Sequence, residues 1–170
     1  MPTYQRFEDL PVWQAAADLY DRTDELLAAA PPRLSRSYRD QLERAALSVS
    51  NNIAEGFERG TTNELLAFLY IARGSAGEVR SMLILLGRRS WIAADLKSQI
   101  ADLRSIAESC SRQLRAWADS LQNSDITGPR HLNEKSRTNY QKASARKQGA
   151  SDFKALLTQH LPPGHPARGN

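Results

Sequence analysis

Through residues 1–121, apolar side chains recur in steps of three and four, which is the spacing of one face of a helix. This pattern divides into four segments. In the first, Asp9 is the expected N-cap, Pro11 lies in the first turn, where proline is tolerated, and Pro31 ends the helix. Its apolar stripe consists of Val12, Ala16, Leu19, Thr23 and Leu26.

The second and third segments are separated by glycines. Ser35 or Ser37 opens the second helix, and Gly56 and Gly60 mark its end. Residues 61–64, with the sequence TTNE, match a capping box and begin the third helix. The apolar stripe of the second helix is Tyr38, Leu42, Ala45, Val49 and Ile53. That of the third is Leu65, Phe68, Leu69, Ala72, Val79, Met82, Leu83 and Leu86.

The fourth segment has the most regular spacing, with alternating steps of four and three that form a heptad seam. The seam consists of Leu96, Ile100, Leu103, Ala107, Cys110, Leu114, Trp117 and Leu121. Trp117 is therefore expected to be mostly buried. No segment alternates with a period of two, so no sheet is predicted. Four helices joined by short loops predict an all-α fold, an antiparallel up-down four-helix bundle over residues 1–121.

The residues after the bundle have a different composition. Residues 122–150 contain almost no large apolar side chains and are predicted to be a flexible basic linker. Residues 151–170 contain a short amphipathic helix capped by Ser151, with Phe153, Leu156 and Leu157 as candidate partner-binding residues. Such a helix is too short to be stable alone, so it docks either on its own bundle or in a partner's groove.

The distribution of charge favours contact between the tail and a polyanion. Residues 1–121 hold 15 basic and 16 acidic side chains, whereas residues 122–170 hold 8 basic and 3 acidic ones. Basic excess of this kind is typical of segments that bind nucleic acid. The candidate phosphate-binding residues in the tail are Arg130, Lys135, Arg137, Lys142, Arg146 and Lys147. In the bundle, Arg33, Arg36 and Arg39 are candidates, although mixed charge there also fits a solvated face.

A group of polar residues lies close to the apolar stripes of the second and third helices. It consists of Asn52, Glu55, Arg59, Arg73 and Glu78. A carboxylate on one helix and an arginine on the next can form a bidentate pair, and Gly74 and Gly77 would allow close backbone approach. We expect a largely buried polar network within one subunit or between subunits. Direct nucleic-acid contact by Arg59 and Arg73 is the alternative.

The sequence contains no pattern that indicates catalysis. Residues 1–121 have no histidine, and a glycine-rich phosphate loop, a nucleophile elbow and the Glu-x-x-His pattern of di-iron bundles are missing. Cys110 lies on the heptad seam and is interpreted as a small buried side chain. We therefore expect neither an enzyme nor a metal or other cofactor. The single cysteine and the lack of a secretory signal favour the cytoplasm, and no run is long enough to span a membrane.

Three stretches resemble a known family: FEDLPVWQAA (7–16), LERAALSVSNNIAEGFERG (42–60) and FLYIARGSAGEV (68–79). They are similar to the four-helix-bundle family named for 23S rRNA intervening-sequence proteins, which is itself similar to the accessory variability proteins of diversity-generating retroelements. The resemblance covers about residues 5–120. It implies a homopentameric, barrel-like assembly with basic surfaces. For the retroelement members it also implies RNA or DNA binding and association with a reverse transcriptase.

Three functional hypotheses follow. The leading one is a nucleic-acid-binding oligomeric scaffold that supports mutagenic cDNA synthesis by a retroelement reverse transcriptase. The second is an intervening-sequence-type protein associated with ribosomal RNA. The third is an oligomeric protein adaptor without nucleic-acid binding. Because few side chains are aromatic, we expect phosphate-led RNA binding with little base readout.

Overall fold

The described part of the chain is all helical. The computed structural model describes residues 4–123 and eight later positions, 138, 142, 145, 146, 148, 149, 151 and 152. A short 3-10 helix at Phe7–Asp9 precedes four long helices. These are α1 (Pro11–Ala29), α2 (Arg36–Glu58), α3 (Thr62–Gly87) and α4 (Ala94–Gln122). No strand occurs among the described residues, which confirms the predicted four-helix bundle.

Two of the predicted helix starts are confirmed by their caps. The Ser35 side chain accepts a hydrogen bond from the Tyr38 backbone N–H at 3.3 Å. Thr61 accepts one from the Glu64 backbone N–H, which is the first bond of a capping box, and its hydroxyl also donates to the Glu64 carboxylate at 2.8 Å. Asp9, by contrast, is not a cap. It ends the 3-10 helix, and α1 starts at Pro11 behind Leu10.

Each helix packs against two neighbours, α1 on α2 and α4, and α3 on α2 and α4. This is the arrangement of an up-down bundle, in which the apolar stripe of each helix faces a shared core. Leucine and alanine dominate that core, and the largest side chains are fully enclosed. They include Leu19, Leu26, Leu42, Ile53, Leu65, Leu69, Leu83, Leu103 and Leu114.

Gly56 differs from its predicted role. It lies inside α2 and is buried, and the helix continues to Glu58. A Cβ atom on Gly56 would lie 2.7 Å from the Cβ of Phe68 and 3.2 Å from a methyl group of Leu65. The glycine therefore sets the close approach of α2 and α3 rather than ending the helix.

Trp117 is half-buried, and Ala118 takes its place in the seam at 1% exposure. Trp117 packs against the core as predicted, but it lies at the edge of the seam for a geometric reason. An α-helix drifts by about 20° per heptad relative to a strict seven-residue repeat. Three heptads separate Leu96 from Trp117, so the seam has rotated by about 60° at the end of α4.

The chain divides into two compact units, Met1–Arg130 and His131–Asn170. In the second unit all eight described positions are helical, and Gln148 donates to the Asp152 carboxylate at 3.0 Å. Six of these positions fall within the segment predicted as a flexible linker. Lysine, alanine, arginine and glutamine are strong helix formers, so a shortage of apolar residues does not prevent helical structure. None of the described helices is long and apolar enough to cross a membrane.

Candidate nucleic-acid interface

Two connections bring arginines together at one end of the bundle. The α1–α2 connection, residues 30–35, and the α3–α4 connection, residues 88–93, hold three arginines and no acidic residue. Arg36 follows in the first turn of α2. We call Arg33, Arg36, Arg88 and Arg89 the basic end. The nearest carboxylates in the sequence are Asp40 and Asp95.

Contacts between the two connections fix the basic end. The guanidinium carbon of Arg33 lies 5.7 Å from the centre of the Trp91 ring, within the range of a cation–π contact. The Tyr38 hydroxyl donates to the Met82 backbone carbonyl and so ties α2 to the end of α3. Burial raises the pKa of Tyr38 to about 12, and the nearby Arg89 charge acts in the opposite direction. The phenol is therefore protonated and available as a donor at neutral pH.

The charges of the basic end are only weakly neutralised within the described residues. The Arg36 side chain is 94% exposed and reaches Asp40 only at 3.8 Å. Arg88 forms no ion pair with any residue of the described bundle, and both Arg88 and Arg89 are exposed. At the opposite end, residues 5–10 and 55–64 hold five carboxylates and two arginines. The positive charge is thus concentrated in the two connections of the basic end, where an anion is attracted, and we call the opposite end the acidic end.

Arg39 has a structural role instead of the predicted phosphate contact. Its guanidinium donates to the backbone carbonyls of Leu27, Leu34, Ala30 and Pro31, the last two at 2.9 Å. Leu27 lies in the last turn of α1 and Ala30 is the C-cap residue, so these bonds add to the few that the backbone itself makes at this helix end. Arg39 therefore caps the C-terminus of α1 and holds the α1–α2 connection, with few donors left for a phosphate.

Removing this cap is expected to destabilise the bundle. Arg39→Ala should lower the free energy of unfolding by about 2 kcal/mol, because hydrogen bonds to charged groups contribute about 1.5–3 kcal/mol and the change removes all four bonds between α2 and the end of α1. Arg39→Lys should recover little of this lost stability, since an ammonium group lacks the planar set of donors that reaches four carbonyls. Urea denaturation followed by circular dichroism measures both variants. Arg36→Ala, at an exposed neighbouring position, is the control. If Arg39→Ala lowers the free energy of unfolding no more than Arg36→Ala does, the capping role is contradicted.

The five residues predicted as a buried polar network lie at the surface of the subunit. Asn52 and Arg73 are half-buried, and Glu55, Arg59 and Glu78 are exposed. Within one subunit the prediction of burial is therefore wrong. Burial between subunits stays a prediction.

These side chains also form different pairs from those expected. Glu55 pairs with Arg59 one turn along the same helix, and Arg59 stacks on Phe68 at 4.9 Å. Glu78 accepts a hydrogen bond from Gln41 of α2. The amide of Asn52 donates to the backbone carbonyl and the hydroxyl of Ser48.

Helix geometry explains why no carboxylate–arginine pair joins α2 to α3 through Arg73. Arg73 and Glu78 are five positions apart, which is about 140° around the helix. Glu78 lies on the flank towards α2, where it contacts Gln41. Arg73 shares a flank with Arg80, two turns later, and Arg80 reaches Glu108 of α4 at 3.8 Å. Arg73 itself makes no ion pair with another described residue.

The outer face of α3 is unusually apolar for a solvent-facing surface. Tyr70, Ile71, Ile84 and Leu85 are between 39% and 51% exposed, and Leu47 of α2 is 37% exposed. Gly74 and Gly77 lie between them on the same helix, and a Cβ added at either would meet no atom within 4 Å. Within the subunit, these glycines therefore do not provide the close backbone approach that was predicted. They leave a smooth, open strip along the helix, and we call this surface the outer α3 face.

Most of the predicted residues in the tail lie outside the described part of the chain. These are Arg130, Lys135, Arg137, Lys147, Phe153, Leu156 and Leu157. Lys142 and Arg146 are described, and both are helical and exposed. Their predicted roles stay predictions.

No group of three histidine, cysteine or carboxylate side chains among the described residues is placed to hold a metal ion. Cys110 is fully buried, and this burial raises the pKa of its thiol to about 11. The thiol therefore stays protonated and unreactive at neutral pH, as expected for a core side chain.

Sequence reasoning missed Arg88, Arg89 and Trp91 as members of the candidate interface. The Arg88-Arg89 pair directly follows α3, where basic side chains also suit a helix C-terminus. A signal was nevertheless present, because in an up-down bundle the first and third connections lie at the same end. Comparing the charges of those two connections would have identified the basic end.

Comparison with known proteins follows the same division of the chain. The sequence model of the 23S rRNA-intervening sequence protein family matches residues 8–116, which spans α1 to most of α4. The chain belongs to this family. The match ends before the basic tail, so the family relation concerns the bundle.

A solved member of the S23 ribosomal protein family from Bacteroides thetaiotaomicron, described as a protein of unknown function, has a similar fold. It is 19% identical, with a TM-score of 0.57, over 63% of this chain and 97% of that one. At this identity the likeness supports the fold alone. No curated protein matches the chain significantly. Neither the family description nor the solved relative names an enzyme.

Proposed function

We propose that this protein is a non-catalytic, RNA-binding scaffold that works as a homo-oligomer and contacts RNA phosphates with its basic end. The observation that carries the proposal is the convergence of Arg33, Arg36, Arg88 and Arg89 at one end, where the one ion pair among the described residues is the loose Arg36–Asp40 contact at 3.8 Å. Guanidinium groups suit phosphate because they offer several donors in a fixed plane. The family description favours ribosomal RNA as the source of the ligand.

Assembly through the outer α3 face is part of the proposal, with a second copy of this chain as its occupant. Large contiguous apolar surfaces are rare on soluble monomers and mark interaction sites. From Tyr70 to Leu85 the face runs for about 22 Å. Gly74 and Gly77 leave room for another helix to approach closely. The resemblance stated above implies five subunits, and Asn52 and Glu78 would then border the interface.

Association with a retroelement reverse transcriptase is the finer form of this proposal. It is supported by the resemblance to accessory variability proteins and by the apolar residues of segment 151–161. Gene neighbourhood separates the two forms. A reverse transcriptase with template and variable repeats supports the retroelement role, whereas an rRNA operon supports the ribosomal one.

RNA affinity measured over a range of salt concentrations tests the basic end. Each phosphate neutralised adds roughly 0.7–0.9 to the slope of log K against log salt. Arg88→Gln with Arg89→Gln should therefore reduce the slope by roughly 1.4–1.8 and weaken binding. Arg6→Gln with Arg59→Gln removes the same charge at the acidic end and should leave the slope unchanged. An equal effect of both pairs would contradict the proposal, as would a native protein without measurable RNA affinity.

A further inference from the structure

The contact between Arg33 and Trp91 has a chemical consequence beyond charge. Trp91 is half-buried, and its neighbour Ile92 is buried at 4%, which fixes the position of the indole. Leu34, buried at 6%, fixes the Arg33 backbone in the same way. A planar cation therefore rests on an anchored aromatic ring, with Arg88 and Arg89 in the same connection as the ring.

Stacking surfaces of this kind recognise unpaired bases. Sequence-specific and single-strand RNA binders stack splayed bases on aromatic rings or on the plane of an arginine guanidinium. The paired bases of an RNA duplex already stack on each other and offer no free face except at the ends. A tryptophan can therefore add affinity only when the strand is unpaired.

The size of the basic end also suits a short single strand. Two neighbouring helices, with axes about 8–10 Å apart, give an end only about 20 Å wide. This width accommodates a few consecutive phosphates and not the length of a duplex. The Arg59–Phe68 pair at the other end has similar geometry, but Arg59 is already paired with Glu55 there. A carboxylate beside the ring repels a phosphate, so the Arg59–Phe68 pair is not expected to bind RNA.

We infer that the basic end binds an unpaired segment of RNA, with one base stacked on the Arg33–Trp91 pair and the adjacent phosphates held by Arg36, Arg88 and Arg89. The inference rests on the proposed function and specifies its ligand as single-stranded RNA. It adds a base-stacking contact to the expected phosphate-led binding. Base stacking adds a contribution that does not depend on salt.

The test compares a single-stranded RNA of about 12 nucleotides with the same strand in a duplex, within the usual range of single-strand site sizes. Base–aromatic stacking corresponds to roughly a 5- to 150-fold change in affinity. Trp91→Leu should weaken single-strand binding by that factor and leave duplex binding unchanged. Trp91→Phe, which keeps a ring, should retain most of the affinity. Trp13→Leu is the matched control, because Trp13 is also half-buried but contacts Phe7 edge-to-face beside the acidic end.

Fluorescence gives an independent readout. In a variant with Trp13→Phe and Trp117→Phe, Trp91 is the remaining tryptophan, and the single strand should quench it while the duplex does not. Equal affinity for both RNA forms, with no effect of Trp91→Leu, would overturn the stacking inference and leave RNA binding intact. Absence of binding to either form by the native protein would instead refute the proposed function.

Discussion

Replacing Gly74 and Gly77 with glutamine is expected to separate the assembly into folded single subunits. Both glycines lie in the interior of α3, where an added side chain meets nothing within 4 Å in its own subunit. In an assembly through the outer α3 face, the same side chains would collide with the neighbouring helix. At about 2 kcal/mol per interface hot spot, the double change should weaken association roughly 1,000-fold. Sedimentation equilibrium measures the mass of both proteins.

The subunit itself should not be harmed by this change. Glutamine is a better helix former than glycine by up to about 1 kcal/mol, so circular dichroism should show an equal or higher melting temperature. Ala101→Gln with Ala116→Gln places the same side chains at exposed positions of α4 and should leave the mass unchanged. A double-glycine variant that assembles like the native protein would exclude this face as the interface, as would a native protein that is monomeric.

The two surfaces would act together in an oligomer. The outer α3 face lies along the length of one helix, whereas the basic end lies at the tips of all four. Assembly through the first therefore leaves the second open and brings several basic ends into one particle. Linked sites of this kind raise the apparent affinity for a long RNA without any new contact. Variants that split the assembly should thus weaken binding to long RNA more than to a short oligonucleotide.

Features set by neighbouring residues were predictable from the sequence. The helix periods, the Ser35 cap and the capping box at Thr61 depend on residues within one or two turns, and the structure confirms them. Cys110 in the core follows from the same local pattern. Asp9 is an exception. It was predicted as the N-cap of α1, but it ends a 3-10 helix, and the N-cap is the next residue, Leu10.

Features set by distant residues were not predictable in this way. Arg33, Arg36 and Arg39 look alike in the sequence, as basic residues near the start of α2. Only Arg39 contacts the backbone carbonyls at the end of α1. Trp91 is a candidate site residue because it contacts Arg33, which lies in the other connection and is far away in the sequence. Trp117 lies at the edge of the seam instead of its centre, because small angular differences accumulate along a long helix. Composition and spacing contain the chemistry of a site, but the topology decides which residues meet.

Substituting Gly56 with leucine is expected to destabilise the bundle by roughly 3 kcal/mol, near the upper end of overpacking effects. The first added carbon already lies 2.7 Å from the Cβ of Phe68, whereas carbon atoms prefer about 3.5–4.0 Å. The Phe68 Cβ is anchored to the backbone of α3 and cannot swing away, so the two helices must move apart. Phe57, Leu65 and Leu69, which are buried around this contact, would lose packing as well.

The close contact of Gly56 with α3, and not the change in helix propensity, should determine the stability of Gly56→Leu. Leucine favours a helix over glycine by up to about 1 kcal/mol, so propensity alone predicts stabilisation. Gly60→Leu is the control, because Gly60 lies beside the same two helices but is exposed with open space around it. Urea unfolding at low protein concentration measures the subunit alone. A Gly56→Leu protein as stable as the control would mean that α2 and α3 tolerate a wider spacing, and that the core does not depend on their close contact.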